Sequence, residues 1–532
     1  MALGLFKRSA PAEHQPAMTQ TTRSSPMDET RRPSSGPQSH PGAVDDSESG
    51  GSVPLDNLPR LASPKRRSIT GGGSKTDVEA APAYHIKSQK DSEEGNSIKY
   101  RTCSWKKTAA LLFSEYICLA IMSFPYSYAT LGLVPGLILT LVVAMSVAYT
   151  SLTIWEMCLK HPECKDVVDV AEILFGSKWG RYFTMTIFLL NNTFIQGFHC
   201  LTGAKYLNTM TGHSACTIAF SAVVAIISWI SSLPRTFAAL SHLATFSALF
   251  TFISVLLATI FAGIEGKPAN YPQHGEPLVS AWPPAGTTFV AGMNAFLNIS
   301  YTFIGQITIP SFIAEMEDPM EFPKALWTVT IAEILVFSIV GSVTYAYVGS
   351  NYVTSPAFGS IGNELYQKVS FSFMIPTIIF LGVLYASVSS RFIFNSIFSG
   401  TRHMGEHTWV GWLSWAGILG CTWVVAFIIA EVIPFFSDLL SLMSSLFDSF
   451  FGFIFWGWAY IRLRKAEFGP DFWKKRGWKG YCGLAMNVVL IFVGVLFLTV
   501  GTYATVDSII MGYRQANFGG AFTCADNGLT GA

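Results

Sequence analysis

WKKTAALLFSEYICLAIMSFPYSYATLG, residues 105–132, is long and apolar enough to cross a bilayer, which takes roughly 20 apolar residues. It is nevertheless a poor simple anchor. Glu115 sits early in the apolar run, Cys118, Ala120 and Ser123 are small, and Pro125 removes a backbone donor well inside the span. Two readings compete. One is a Pro-kinked helix packed on its neighbours through a small face. The other is a discontinuous helix. An unpaired backbone group in hydrocarbon costs several kcal/mol, so an interrupted span persists only where it lines a cavity. There its free backbone can bind a polar ligand at the midplane. The second reading also gives the carboxylate a use.

The whole chain agrees with a membrane setting. Of 532 residues, 50% are hydrophobic and 13% charged, where about 25% charged is usual for soluble domains. The net charge of +1 offers no basic field for nucleic acid. Residues 1–104 hold much of the Ser, Pro, Gly and charge and cannot bury enough apolar surface to fold, so a disordered cytosolic tail is expected. Residues 105–511 form the transmembrane domain and 512–532 a short extracellular tail. Residues 1–30 do not have the pattern of a signal peptide, so the first span is expected to direct insertion. Gly71-Gly72-Gly73-Ser74-Lys75-Thr76 lacks phosphate-loop spacing and reads as linker. Arg31-Arg32-Pro33-Ser34 and Lys65-Arg66-Arg67-Ser68 are candidate sites for kinases, and the tail's lysines for ubiquitin-attaching machinery. The nine cysteines show no CxxC pair, so neither zinc nor a disulfide scaffold is implied. Cys216 and Cys524 fall on the expected outer side, where a bridge between them is one option.

Apolar runs follow at 105–130, 133–158, 180–207, 216–233, 241–264, 287–314, 325–349, 371–397, 410–431, 433–460 and 481–507. By the length rule of roughly 20 residues these are about eleven helices. Lys and Arg crowd alternate loops, notably 159–181 and 461–480, while 265–286 and 350–370 carry one each. This bias puts the N-terminus in the cytosol and, with an odd helix count, the C-terminus outside. Residues 165–177 alternate acid and apolar residues at helical spacing, which predicts an amphipathic helix on the cytosolic surface. The long outer loops 264–286 and 350–370 are expected to cap an outer vestibule.

The sixth run, TTFVAGMNAFLNISYTFIGQITIPSFIAEMEDP from residue 287, resembles the first in kind. Asn294, Asn298, Ser300, Thr302, Gly305, Gln306 and Pro310 all interrupt apolar sequence. Such residues can serve as interhelical glue. A pair of interrupted spans five helices apart is also the sequence pointer to a transporter site built on an inverted repeat.

The membrane part resembles the amino acid/auxin permease family, within it the fungal neutral amino-acid permeases. The resemblance is carried by Glu115 through Pro125 with Ala129-Thr130-Leu131-Gly132-Leu133-Val134-Pro135-Gly136, and by Phe175-Gly176-Ser177-Lys178-Trp179-Gly180-Arg181. Leu233-Pro234-Arg235-Thr236 and Leu240-Ser241-His242 add to it, as do Tyr301 through Gln306, Ile309-Pro310, Glu315-Met316-Glu317-Asp318-Pro319 and Glu321 through Leu326. It spans nearly all of 105–510. It implies an all-α polytopic fold, a five-plus-five inverted repeat with helices one and six broken and helix eleven outside it. It also implies an amino acid held between helices one, three, six and eight, and secondary transport driven, in fungi, usually by protons. Many relatives carry glycine at the first break, where this chain reads Cys118-Leu119-Ala120.

The expected site follows from the substrate. An amino acid's carboxylate suits free N–H groups at a half-helix N-terminus, here Cys118, Leu119, Ala120, Ile121 and Met122. Its ammonium suits carbonyls and side-chain oxygens near Asn298, Ser300, Tyr301 and Thr302. Asn191 and Gln196 of the third run would shape the pocket. An intramembrane carboxylate is a candidate proton carrier, so Glu115 leads for coupling, followed by His242 and Glu333. The other reading of Glu115 is a structural pair with a Lys or Arg. Ser387 and Ser389 are candidate sodium ligands or packing residues. The expected activity is proton-coupled import of neutral, aliphatic or aromatic, L-amino acids at the plasma membrane, with no cofactor. A sodium-coupled or vacuolar transporter and an amino-acid-sensing receptor are the alternatives. His403-Met404-Gly405-Glu406-His407 matches H-x-x-E-H, but a glycine in a short loop is poor support for a zinc enzyme. No ring of charges or filter motif suggests a channel.

Overall fold

The computed structural model describes residues 103–515 and 520–529, except 236, 266–270, 272–276, 399–400, 402 and 404–407, and residues 237–243 by their backbone alone. The N-terminal tail and its motifs, residues 404–407 of the H-x-x-E-H match and the side chain of His242 lie outside the described residues.

In chain order the first helices are α1 (Trp105–Tyr116), α2 (Phe124–Leu131), α3 (Leu133–Lys160), α4 (Val167–Phe175), α5 (Lys178–Thr211) and α6 (Thr217–Ser232). Then come α7 (Phe237–Glu265), α8 (Phe289–Phe303), α9 (Ile309–Glu315), α10 (Phe322–Val348), α11 (Glu364–Ser372) and α12 (Ile375–Phe398). The last are α13 (Trp409–Val432), α14 (Phe436–Met443), α15 (Phe455–Phe468), α16 (Phe472–Lys475), α17 (Trp478–Leu496) and α18 (Thr502–Arg514). A 3₁₀ turn (Leu119–Ser123) joins α1 to α2, and a π-helical segment (Ser444–Ile454) joins α14 to α15.

Every apolar run read from the sequence is helical. Among the described residues seven helices are long and apolar enough to cross a membrane, and the pair α1–α2, bent by 44°, makes an eighth. The other three runs miss that test for physical reasons. Helix α5 buries Thr184, Asn191, Asn192, Gln196 and His199 along one side, α6 has only 16 residues, and α8–α9 is interrupted. Helix α5 is central and packs on α4, α6, α12 and α13. Rows such as Ile138, Leu141, Val142 and Met145 on α3, or Val488, Val489, Phe492 and Val495 on α17, are exposed at helical spacing, as a lipid-facing stripe requires. The apolar stretch of α17–α18 is only 22% buried, so the eleventh run is peripheral.

The two interrupted spans run antiparallel. The N–H of Cys103, just before α1, donates to Glu315 O at the end of α9 (3.1 Å), and Glu317 N–H returns a bond to Cys103 O (2.9 Å). Between α2 and α3, Gly132 takes φ +84°, and a Cβ there would lie 2.4 Å from the Trp282 backbone. Only glycine lets the 280–282 strap close on the helix start, where Leu133 and Val134 donate to Ser280 O and Ala281 O. Helix α4 forms as expected, capped by the Asp166 carboxylate. Its apolar face (Val167, Val170, Ala171, Leu174) packs into the bundle rather than facing lipid.

The C-terminal segment is strapped down. Cys524 is disulfide-bonded to Cys216 at the start of α6. Lys205 donates to Asn527 O (2.5 Å), Asn208 to Asn527 Oδ1 (2.7 Å) and Thr217 to Ala525 O (2.6 Å). Leu529 enters the main hydrophobic core. A digest of unreduced protein is expected to yield a cross-linked peptide pair holding Cys216 and Cys524. Recovery of both as thiols alkylated before reduction would refute the strap.

Candidate functional site

Both interruptions share one local construction. Pro125 and Pro310 stand in the first turns of α2 and α9, where the missing N–H has no intrahelical acceptor to lose. Pro125 begins the second half of its span, and the break falls before it, in the Cys118-Leu119-Ala120 stretch where the resemblance put it. The break lies at Cys118 (φ −110°, ψ −179°), with its counterpart at Ile304 (φ −95°, ψ 103°). The two breaks touch: a Cβ on Gly305 would lie 1.9 Å from Tyr116 Cε1.

A cavity opens beside them. The first span contributes Glu115, Tyr116 and Cys118, and α5 contributes Asn191, Ile195, Phe198 and His199. The sixth span contributes Tyr301, Thr302, Ile304, Gly305 and Ile307. Leu381 and Tyr385 come from α12, and Asp448 and Phe451 from the π-helical segment. The lining holds two carboxylates and no Lys or Arg.

Glu115 ties three spans together. It is 6% exposed. Tyr385 Oη on α12 donates to its Oε1 (2.6 Å), and Thr308 Oγ1, just before α9, donates to its Oε2 (3.0 Å). Its partners are hydroxyls, and it forms no ion pair among the described residues.

The other expected site residues divide. Cys118, Asn191, Tyr301 and Thr302 line the cavity with Glu115. Leu119, Ala120, Ile121 and Met122 are fully buried in the core around the break and do not line it. Asn298 binds Ser437 Oγ (2.6 Å) and accepts from Ser441 Oγ (3.0 Å), joining α8 to α14. Gln196 donates to Asn192 O (3.2 Å), and Asn192 donates to Ser389 Oγ (2.9 Å). The hydroxyls of Ser300 and Ser387 are buried without partners, as is Oε1 of Glu333. Tyr385, Thr308, His199 and Asp448 were not singled out in the sequence. Asp448 carries the same signal as Glu115, an acid inside an apolar run.

Residues 101–507 match the model of a family described as transmembrane amino acid transporter protein. The chain belongs to that family, the amino acid/auxin permeases. The N amino acid transport system protein of Neurospora crassa is 32% identical over 440 residues, 82% of this chain and 91% of that one. A transmembrane transporter of Gibberella moniliformis is 27% identical over 472 residues, 85% and 96% of the two chains. Auxin transporter-like protein 3 of Medicago truncatula is 23% identical over 414 residues, 73% and 82% of the two. A closed, bromovinylhydantoin-bound structure of MHP1, a nucleobase-cation-symport-1 family transporter, aligns at a TM-score of 0.48 and 14% identity, covering 78% of this chain and 93% of that one. Membership makes this amino acid/auxin permease a multi-pass membrane protein of a transporter family, with a small-molecule substrate and not an enzyme's reaction to perform. In this permease the central cavity holds its polar groups where the first and sixth spans break.

Proposed function

We propose that the protein is a secondary active transporter that moves neutral L-amino acids by proton symport and alternating access, with Glu115 as proton carrier. The observation that carries this is the Glu115 carboxylate itself. It is buried at the break and held by hydroxyls from the sixth and eighth spans, so a change in its protonation alters contacts between elements that alternating access must move. Aromatic and aliphatic lining from Phe198, Ile195, Leu381 and Phe451 suits a neutral side chain, and the absence of Lys and Arg from the lining disfavours an acidic one.

The Lys/Arg bias and the Cys216–Cys524 bridge agree on orientation, because disulfides persist on the side facing away from the cytosol. The plasma membrane is the proposed location, with the N-terminal tail as the segment that kinases and ubiquitin machinery would modify.

Purified protein in proteoliposomes is expected to accumulate labelled leucine or phenylalanine when the side from which substrate enters is made acid. Accumulation driven by a sodium gradient alone would replace the proton with sodium. Saturable binding with no uptake under either gradient would favour a sensor.

A further inference from the structure

We infer that Asp448 receives the α-ammonium group of the transported amino acid. This rests on the transport reading above and adds the atom that recognises the substrate's nitrogen. Asp448 lies in the middle of the π-helical segment Ser444–Ile454. Such wider turns are rare and concentrate at functional sites. Its side chain lines the same cavity as Glu115 and is 5% exposed.

The two carboxylates are unlike. Both oxygens of Glu115 accept hydrogen bonds from protein hydroxyls. Asp448 has the Ser444 hydroxyl beside its carboxylate, but its Oδ2 has no hydrogen-bond partner, and no Lys, Arg or His pairs with it among the described residues. A buried carboxylate oxygen without a partner and a negative charge without a counter-ion are costly, and the cost is removed when a cation arrives with donors. An ammonium group brings one positive charge and three donors. Tyr301 and Phe198 line the same space, and aromatic rings attract a nearby cation. One carboxylate thus remains for the proton and one for the substrate's nitrogen, which leaves the apolar lining for a neutral side chain.

The test is the affinity of the full-length protein for L-leucine and for 4-methylpentanoate, which is leucine without its amino group. Wild type is expected to prefer leucine. Asp448→Asn is expected to weaken leucine binding about tenfold to 100-fold and leave 4-methylpentanoate unchanged, so the preference collapses. Asp448→Glu, which keeps the charge, should restore part of it. Reading the same ratio in Asp448→Ser keeps one poorly folded variant from deciding the matter. Equal weakening of both ligands would make Asp448 structural and overturn the assignment. An intact preference combined with loss of pH-driven accumulation would make Asp448 the proton carrier and also overturn it. If wild-type vesicles accumulate no amino acid, the transport reading fails, while the binding ratio still reports on Asp448.

Discussion

Glu115→Gln is expected to exchange amino acids across the membrane at close to the wild-type rate and to lose accumulation in response to a pH gradient. For one proton per substrate, a difference of one pH unit supports about tenfold accumulation. The variant should fall to no accumulation. The hydrogen-bond inventory explains why the fold survives. In the wild type Tyr385 Oη donates to one carboxylate oxygen, and the Gln carbonyl accepts the same bond. Thr308 Oγ1 lies 3.0 Å from the other oxygen but also 2.8 Å from Gly305 O, and its single hydrogen can serve only one of them. With Gln present, the amide donates to Thr308, whose hydrogen then goes to Gly305 O. Tyr385, Thr308 and Gly305 O all keep a bond, and the titration is lost. Glu115→Ala, by contrast, strands the Tyr385 hydroxyl in a buried site, at a cost of about 1–3 kcal/mol. Exchange and pH-driven accumulation measured on the same vesicles decide the matter. If Glu115→Gln still concentrates substrate, the proton travels elsewhere, and His242 is the next residue to test.

What the sequence disclosed follows from the range of each interaction. The apolar runs and the two interrupted spans are local features, and both were legible. So was Glu115, because an acid in hydrocarbon stands out against its neighbours. The position of the first break was legible through the family resemblance, which put it at Cys118-Leu119-Ala120. Residue type alone would not have found it: Pro125 draws attention, yet a proline is harmless at the first turn of a helix, and no breaker residue marks Ile117-Cys118. Tyr385 and Thr308 could not be found locally either. They meet Glu115 across 270 and 193 residues, and hydroxyl side chains are common in membrane helices. Asn298 shows the same limit from the other direction. A buried amide beside a break reads equally well as a ligand contact or as glue, and in the structure its bonds run to Ser437 and Ser441. Asp448 is different: it met the criterion that picked out Glu115, but aromatic residues surround it and no proline flags a break nearby.

Gly305→Ala is expected to abolish transport and to lower stability, by an amount in the usual overpacking range of about 1–3 kcal/mol. The added methyl would sit 1.9 Å from Tyr116 Cε1, 2.8 Å from its Cζ and 2.9 Å from its Oη. The constraint is space rather than backbone freedom, because Gly305 is not among the glycines with positive φ. Tyr116 is 6% exposed and belongs to the packed cluster that includes Leu112, Ile307 and Ile309, so its ring has little room to retreat. Moving it shifts the residue next to Glu115 and reshapes the cavity that both line. Removing the ring should therefore relieve the clash. Gly305→Ala made on a Tyr116→Ala background should cost much less than on the wild type, with a coupling of about 0.5–3 kcal/mol in the double-mutant cycle. Thermal midpoints of the four proteins in detergent, with uptake measured in parallel, give both readings. Normal uptake and an unshifted midpoint for Gly305→Ala would mean that the first and sixth spans do not need this contact. Additive losses in the cycle would mean that Tyr116 is not what the methyl meets.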